Sequence, residues 1–289
     1  MIPSFNPKAN GHAAVTVRAL FVDLDGTLLA SDLSVPLACA TSLRLAQERG
    51  VRVFLASGRH VASVARYVEM LQVDPYALVS NGCVVNTAAK EALFFQPFPR
   101  DTWVMLTELA RKCGASPIIH APTEWYIESI DDNVQIEVRR SGATPTTLGF
   151  ARVDLPIIKV LMVGKEVALS KCQAELEARR SADLAWFTTF PEYLEVMPAG
   201  ASKGTARDAL LKFLGIPKAN VMAIGDGSND LDMLRDIGIS VAVANAKASV
   251  LSMAHYIAPS NDEAGVAEAV GAFVFGQLEP YLRLRANGR

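Results

Sequence analysis

Cysteine, long apolar runs and net charge are all scarce in this chain of 289 residues. The four cysteines, at positions 39, 83, 113 and 172, are scattered and form no Cys-x-x-Cys pair. This spacing argues against a zinc site or a disulfide framework and favours reduced thiols in a cytoplasmic protein. The formal net charge of −2 gives no electrostatic reason to expect a nucleic acid or an anionic membrane as a partner.

Membrane-spanning and export signals are missing as well. No stretch approaches the roughly 20 consecutive apolar residues that a membrane span needs. Residues 1–16 contain proline, asparagine and glycine but no apolar core of a signal peptide, so we expect a disordered N-terminal arm. Hydrophobic residues nevertheless make up 51% of the chain, and the length suggests about two domains. The sequence leaves the oligomeric state open.

Apolar, β-prone runs alternate with helix-like segments at both ends of the sequence. The runs at 15–22, 51–56, 76–80, 221–225 and 239–244 predict strands, and segments of helical spacing follow most of them. Such alternation is typical of βαβ units with right-handed crossovers. We therefore predict an α/β fold, with a parallel sheet flanked by helices.

Short strands and helices in mixed order fill the middle of the chain. We expect an α+β domain over residues 83–189, inserted into a core domain that is formed by residues 17–82 and 190–289. Glycine and proline near Gly82 and Pro198 would act as its hinges.

Two carboxylates, Asp23 and Asp25, end the first predicted strand and are followed by Gly26 and Thr27. Side chains two residues apart on a strand point to the same side. Two such acids repel each other unless a cation or a shared proton relieves them, and Mg²⁺ is a hard ion that prefers oxygen ligands. In an open α/β sheet, ligands bind at the carboxyl ends of the strands, so we expect the chemistry here. A hydrated turn is the alternative interpretation of this pattern when it stands alone.

Two further segments favour anion binding. Ser57 and Gly58 follow the second predicted strand and open a helix, where backbone N–H groups can bind a phosphate. A simple strand-to-helix turn is the alternative. Lys203 lies in the first turn of another predicted helix, where the helix dipole disfavours a cation, which suggests that it is held there for an anion. An exposed lysine is the alternative at that position.

An apolar strand ending at Gly225 leads directly into Asp226, Ser228, Asn229 and Asp230. Two acids and an amide at a strand-to-helix junction are poor packing material. They are suitable as further ligands for a hard cation.

Together these segments resemble the four motifs of the haloacid dehalogenase-like (HAD) superfamily, in the same order and with similar spacing. The matching stretches are Asp23-Leu24-Asp25-Gly26-Thr27-Leu28, Ala56-Ser57-Gly58-Arg59, Ser202-Lys203-Gly204 and Gly225-Asp226-Gly227-Ser228-Asn229-Asp230. The large insert between the second and third motifs is similar to the α/β cap of the Cof-like, sugar-phosphatase-like branch. The resemblance implies a HAD-like Rossmannoid core with an inserted α+β cap domain. In one departure, Ala264 stands where the family usually carries aspartate.

The resemblance also implies roles for the motif residues. Asp23 would be the nucleophile that forms an aspartyl-phosphate, and Asp25 would act as acid and then as base. The cofactor Mg²⁺ would be held by Asp23, the main-chain carbonyl of Asp25, and Asp226, with Asp230 in support. The phosphoryl oxygens would be held by Thr27, Ser57, Gly58, Lys203 and Asn229.

The predicted enzyme is a Mg²⁺-dependent phosphatase of small phosphorylated metabolites, among which sugar phosphates are the family's commonest class. A phosphomannomutase-like phosphotransferase and a catalytically inactive sensor of phosphorylated ligands are the alternatives. The rest of the substrate would be read by residues of the cap, and each of them is equally explained as core or as exposed strand face. The candidates are His120, Glu124, Trp125, Tyr126, Arg139, Arg140, Glu192 and Tyr193.

Overall fold

The computed structural model of the chain describes residues 16–86, 92–179, 181–188 and 190–276. The arm predicted at 1–16 lies outside these residues except for its last position, as does the turn expected at 87–91 between two hairpin strands. The chain forms two compact units. The first unit comprises Met1–Ala56, Tyr67–Tyr76 and Arg207–Arg289, and the second comprises Ser57–Arg66 and Ala77–Ala206.

Strands and helices alternate along most of the described chain. The strands are β1 (Ala19–Asp23), β2 (Arg52–Ala56), β3 (Ala77–Val79), β4 (Val84–Asn86), β5 (Ala92–Phe95), β6 (Ser116–His120), β7 (Trp125–Ile127), β8 (Thr146–Thr147), β9 (Lys159–Val163), β10 (Leu184–Phe187), β11 (Tyr193–Pro198), β12 (Val221–Gly225), β13 (Ile239–Val243) and β14 (Tyr256–Ala258). The helices are α1 (Leu37–Glu48), α2 (Val61–Leu71), α3 (Arg100–Cys113), α4 (Asp132–Ser141), α5 (Glu166–Arg179), α6 (Lys203–Leu214), α7 (Leu231–Leu234), α8 (Ala248–Met253) and α9 (Gly265–Val274).

Five parallel strands form the sheet of the first unit, in the order β14-β13-β12-β1-β2. All residues of β1, β12 and β13 are buried, as expected for parallel strands that are covered on both faces. β1 and β12 are neighbours, with Val22 beside Ile224. Their carboxyl ends, Asp23 and Gly225, therefore open at the same edge of the sheet. The predicted α/β fold is confirmed.

The second unit contains a six-stranded sheet in the order β10-β11-β9-β6-β7-β8, in which only β7 and β8 pair in parallel. One face carries a hydrophobic core with α3 and α5, which includes Leu106, Val160 and Leu176. The opposite face packs Leu161 and other apolar residues against α4. Strands β3, β4 and β5 of the same unit pair antiparallel. The bounds predicted for the inserted domain, 83 and 189, stay a prediction.

Helix α4 was not predicted from the sequence. The Asp131 side chain caps its N-terminus by accepting a hydrogen bond from the N–H of Val134 (2.8 Å), and Gly142 ends it with a φ of +63°. Both are ordinary helix boundary signals. They were missed because the segment between them is mostly polar and shows a weak apolar stripe.

None of the helices in the part of the chain described above has both the length and the apolar character needed to cross a bilayer.

Candidate active site

The loop after β1 places the first two carboxylates. Asp23 is the last residue of β1 and is buried, whereas Asp25 is half-buried. The main-chain N–H groups of Leu28 and Leu29 both donate to the oxygen of Leu24, at 3.1 and 2.9 Å. The loop is therefore tight, and it holds Asp23 and Asp25 at the carboxyl end of β1.

The same loop contacts the loop that follows β12. The Thr27 hydroxyl, which is buried, donates to Oδ1 of Asp226 at 2.8 Å. Gly26 has a φ of +80°, and a Cβ at this position would lie 2.7 Å from Oδ2 of Asp226. Glycine is therefore required here for backbone shape and for the close approach of the carboxylate. The predicted role of Thr27 in phosphate binding stays a prediction.

Asp230 organises the loop after β12. Its side chain is fully buried, and its Oδ2 accepts hydrogen bonds from the N–H groups of Asp226 (3.0 Å) and Gly227 (2.9 Å). The main-chain oxygen of Asp226 in turn accepts from the N–H of Lys247 at 2.9 Å. Asn229 lies half-buried in the short 3₁₀ turn that precedes α7.

Three of the predicted metal ligands come together. Asp23, Asp226 and Asp230 each offer one carboxylate oxygen, and these oxygens all lie within 4.8 Å of one another. Two of the three residues, Asp23 and Asp230, are buried. A group of hard oxygen donors of this kind fits Mg²⁺. Asp25 was predicted to contribute its main-chain carbonyl rather than its carboxylate, so its part in the set stays a prediction.

Two asparagines that were given no role in the sequence-based prediction hold the loop after β1. The Asn245 side chain donates to the main-chain oxygen of Gly26 at 2.7 Å, and its Oδ1 accepts from the N–H of Asn261 at 3.0 Å. Asn261 also donates through Nδ2 to the oxygen of Leu29 at 2.9 Å. The bonds to Gly26 and Leu29 join positions that are more than 200 residues apart, which no local pattern reveals.

Ala264, which departs from the family pattern, precedes α9 with a left-handed φ of +56°. Side chains next to Ala264 in the sequence hold the segment before α9, where the family's aspartate is missing. Asp262 accepts hydrogen bonds from both the N–H and the hydroxyl of Ser31, each at 2.7 Å. Together with the Asn261 bonds, these contacts tie the start of α9 to the chain just beyond the Asp23 loop.

Ser57 and Gly58 belong to the second unit. The N–H of Ser57 donates to the oxygen of Leu78 (2.7 Å), and the oxygen of Ser57 accepts from the N–H of Asn81 (3.0 Å). Its hydroxyl oxygen accepts from the N–H of Arg59 at 3.1 Å. The loop is therefore fixed against the end of β3, and Ser57 itself is fully buried.

Lys203 is the first residue of α6 and is fully buried, which excludes the interpretation as an exposed lysine. The turn Ser80–Gly82 packs closely against it. A Cβ on Gly82 would overlap the main-chain oxygen of Ser202 and would lie 2.6 Å from the nitrogen of Lys203. Because Asn81 of this turn also binds Ser57, the turn contacts two of the phosphate-binding candidates of the second unit, Ser57 and Lys203.

A buried ion pair in this unit escaped the sequence-based prediction. The Lys159 ammonium lies 2.8 Å from Oε2 of Glu195, and the two side chains are only 3% and 6% exposed. The ammonium also donates to the main-chain oxygen of Gly58 at 2.9 Å. The Asn81 side chain donates to the same Oε2 at 2.8 Å. No local signal marks these residues, since each lies in an otherwise apolar strand.

Several predicted cap residues are core residues on one face of the six-stranded sheet. His120 is directly paired with Lys159 on β9 and with Trp125 on β7, and all three side chains are buried. The rings of His120 and His60 meet edge to face, with centroids 5.2 Å apart. Burial, aided by the charges of Lys159 and His60, holds the pKa of His120 well below its usual value. Burial of His120 thus favours the neutral imidazole.

Of the remaining cap candidates, Tyr126 lies on the other face of the sheet. The Tyr126 hydroxyl donates to Glu124 at 2.5 Å on the face with α3 and α5, and burial raises the pKa of this tyrosine to about 12. Arg139 is exposed. Tyr126 is therefore separate from the buried face that carries His120 and Trp125, whereas Arg139 lies on α4, which packs against that face.

Arg140 of helix α4 contacts Glu192 and Tyr193 near the start of β11. The Arg140 guanidinium donates to Glu192 at 2.7 Å and lies 4.8 Å from the ring centroid of Tyr193. The Tyr193 hydroxyl donates to Glu137 at 2.6 Å. Burial is the main cause of a raised pKa at the Glu137 carboxyl. The predicted role of Arg140, Glu192 and Tyr193 in reading the substrate stays a prediction.

A family model described as haloacid dehalogenase-like hydrolase matches residues 20–270. The protein described as putative phosphatase YxeH of Bacillus subtilis is 29% identical over 269 residues, which cover 90% of this chain and 99% of that protein.

Two solved structures have a similar fold. A haloacid dehalogenase-like hydrolase from Bacteroides thetaiotaomicron is similar with a TM-score of 0.81 and 32% identity, over 88% of this chain and 98% of that one. The HAD subclass IIB sugar phosphatase BT4131 is similar with a TM-score of 0.77 and 22% identity, over 89% and 99%. The resemblance to the capped branch and the predicted phosphatase-type enzyme class are thus confirmed at the level of the family. With its own motifs in place, the chain belongs to the haloacid dehalogenase-like hydrolase family.

Proposed function

We propose that this chain is a Mg²⁺-dependent phosphatase that hydrolyses phosphomonoesters of small metabolites through an aspartyl-phosphate intermediate. The observation that carries the proposal is the cluster of Asp23, Asp226 and Asp230 at the carboxyl ends of two neighbouring strands. Three carboxylates would repel a phosphoryl group, so a cation has to accompany it. Mg²⁺ suits both the oxygen donors and the phosphoryl chemistry.

The residues divide into two sets by task. The first set would hold Mg²⁺ through Asp23, the main-chain carbonyl of Asp25, and Asp226, with Asp230 in support. The bound ion would supply positive charge that offsets the phosphoryl oxygens. The second set would bind those oxygens, and the burial of Lys203 and of the Ser57 hydroxyl supports this role, because enclosed donors act more strongly than solvated ones. The second set consists of Thr27, Ser57, Gly58, Lys203 and Asn229.

The reaction proceeds in two displacements. A carboxylate oxygen of Asp23 attacks phosphorus, a new O–P bond forms, and the bond from phosphorus to the leaving oxygen breaks. Asp25 gives its proton to that leaving oxygen. In the second step Asp25 takes a proton from a water molecule whose oxygen attacks the aspartyl-phosphate. The O–P bond to Asp23 then breaks, which releases inorganic phosphate and restores the carboxylate.

Sugar phosphates are the substrate class that we propose first. BT4131, which shares the fold, is named a sugar phosphatase. Among the predicted cap residues, Arg140, Glu192 and Tyr193 remain the candidates for contacting the hydroxyls of such a leaving group. The cytoplasmic location and the lack of nucleic-acid and membrane partners stay predictions.

The test is phosphate release from a panel of phosphorylated sugars, nucleotides and vitamins, with Mg²⁺ and with a chelator. We expect release with Mg²⁺, none with the chelator, and the highest rates with sugar phosphates. Transfer of the phosphoryl group to a second sugar hydroxyl without release would contradict a phosphatase and indicate a phosphotransferase. Binding without any turnover would contradict an enzyme and indicate a sensor.

A further inference from the structure

Lys159 takes no part in the mechanism above, yet it contacts the loop that would bind phosphate. It is the first residue of β9, and its ammonium donates to the main-chain oxygen of Gly58 (2.9 Å) and to Glu195 (2.8 Å). Its side chain is only 3% exposed, and both acceptors are protein atoms of the same unit.

Stability alone does not account for this ion pair. Removing two charges from water costs several kcal/mol per ion, and apolar replacements of buried pairs are often neutral or stabilising. The pair also places a positive charge beside the buried imidazole of His120, which disfavours protonation there. A specific role in orienting a neighbouring group is a better explanation for Lys159 and Glu195.

The contacts lead from the ammonium to the Ser57 hydroxyl. The oxygen of Gly58 and the N–H of Arg59 are the two ends of one peptide group, and this N–H donates to Oγ of Ser57 at 3.1 Å. A cation on the carbonyl end polarises the peptide and makes the N–H a stronger donor, because hydrogen bonds in a chain strengthen one another. Since the Ser57 oxygen accepts this bond, its own O–H group is directed elsewhere as a donor.

We propose that Lys159 is a positioning residue, which orients and polarises the Ser57 hydroxyl through the Gly58–Arg59 peptide so that it donates to a phosphoryl oxygen. The inference rests on the proposed function, in which Ser57 binds the phosphoryl group. Glu195 keeps the ammonium in place and balances its charge. The Asn81 side chain orients Glu195 by donating to the same carboxylate oxygen at 2.8 Å.

The experiment measures the Kd of inorganic phosphate for the full chain with Mg²⁺ by isothermal titration calorimetry. Lys159→Met combined with Glu195→Gln removes both charges together, so that neither is left buried alone, and the glutamine oxygen can still accept from Asn81. We expect the Kd to rise about tenfold, at the lower end of the effect of residues that orient a ligand-binding group. Lys218→Met is the matched control, because this lysine is 45% exposed and pairs with Asp208 at the surface. Its Kd should equal that of the unchanged protein.

A double-mutant cycle separates positioning from a general structural effect. Ser57→Ala should also raise the Kd about tenfold. Because Lys159 acts through Ser57, adding the Lys159→Met and Glu195→Gln changes to Ser57→Ala should change the Kd by less than about twofold. If the added changes raise the Kd of Ser57→Ala as much as they raise the Kd of the unchanged protein, the inference is overturned. Lys159 would then affect phosphate binding by a route other than Ser57. An unchanged Kd in the Met/Gln variant would overturn it as well.

Folding is checked by urea denaturation. If the Met/Gln variant does not fold, Lys159→Gln with Glu195→Gln keeps a neutral donor and tests the charge alone. A rise in Kd of about threefold is then expected, because charge-assisted hydrogen bonds are roughly twice as strong as neutral ones; no rise overturns the inference.

The calorimetric Kd of phosphate does not depend on turnover. A failure of this inference can therefore be told apart from a failure of the proposed phosphatase activity. A protein that binds phosphate and passes the cycle but releases none from any substrate would refute only the phosphatase. Failure of the unchanged protein to bind phosphate would overturn the role of Lys159.

Discussion

Replacing Gly82 with alanine tests how the turn Ser80–Gly82 holds the phosphate-binding candidates of its unit. Gly82 has a φ of +84°, and a Cβ there would overlap the carbonyl of Ser202 and lie 2.6 Å from the nitrogen of Lys203. These neighbours are main-chain atoms at the start of α6, so neither can rotate away. The methyl group must therefore displace the turn or the beginning of the helix.

Two costs add in this variant. A left-handed backbone costs an alanine roughly 1–2 kcal/mol, and forced overpacking costs about 1–3 kcal/mol. We expect Gly82→Ala to lower the free energy of unfolding by about 2–5 kcal/mol. Gly114→Ala is the matched control in the same unit. Gly114 has a φ of +85°, but no described atom lies within 4 Å of its Cβ position, so only the first cost of about 1–2 kcal/mol applies.

Tryptophan fluorescence during urea denaturation is a suitable measurement. The chain has three tryptophans, Trp103, Trp125 and Trp186, and all lie in the unit that contains Gly82 and Gly114. The urea midpoint should fall further for Gly82→Ala than for Gly114→Ala. Equal midpoints would refute the close packing of the turn against α6.

The same pair of variants carries a functional readout. Because Gly82→Ala displaces the start of α6, and Lys203 with it, the affinity for inorganic phosphate should fall. Gly114→Ala should leave the phosphate affinity unchanged, since the C-terminus of α3 contacts neither Ser57 nor Lys203 in any hydrogen bond described above. If Gly82→Ala lowers stability but leaves the phosphate affinity unchanged, the turn does not position the phosphate-binding residues.

Three further predictions concern the aspartates of the first unit. Asp23→Asn should abolish phosphate release while the circular dichroism spectrum is kept, because the amide preserves volume but is not a nucleophile; turnover near that of the unchanged protein would contradict the assignment. Asp25→Ala should lower kcat by about 10²–10⁴-fold, and a milder loss in steady-state kinetics would show that another group transfers the proton. Asp230→Asn should raise the Mg²⁺ concentration for half-maximal activity by roughly tenfold, and the exposed Asp232→Asn should leave it unchanged; equal effects would refute a role of Asp230 at the metal.

Local sequence predicts much of the first unit. The apolar runs that end at Asp23 and Gly225 are recognisable as strands, and the polar residues after them are recognisable as site residues, because parallel strands present ligands at their carboxyl ends. The local pattern does not show that β1 and β12 are neighbours. That pairing is what brings Asp23 beside Asp226 and Asp230.

The second unit was less predictable. Most of its strands and helices α3 and α5 have clear apolar patterns, but α4 does not, and it was missed despite its Asp131 cap and Gly142 end. Its place in the fold depends on the packing of a few apolar side chains against the sheet rather than on a strong periodicity. The residues of α4 that meet Tyr193 and Glu192 could therefore not be grouped in advance.

The sequence by itself determined which residue types stand at the ends of the strands, and therefore the family and the chemistry that the Asp23 and Asp226 loops can perform. Only the tertiary structure decided how the phosphate-binding loop is supported. Lys159 lies 101 residues from Gly58 and 36 from Glu195. It meets Glu195 because β9 and β11 are paired strands, and its ammonium reaches Gly58 in the loop that follows β2. A buried charge in an apolar strand has no local signature, since its partner is chosen by the pairing of strands and by the need to compensate the charge away from water.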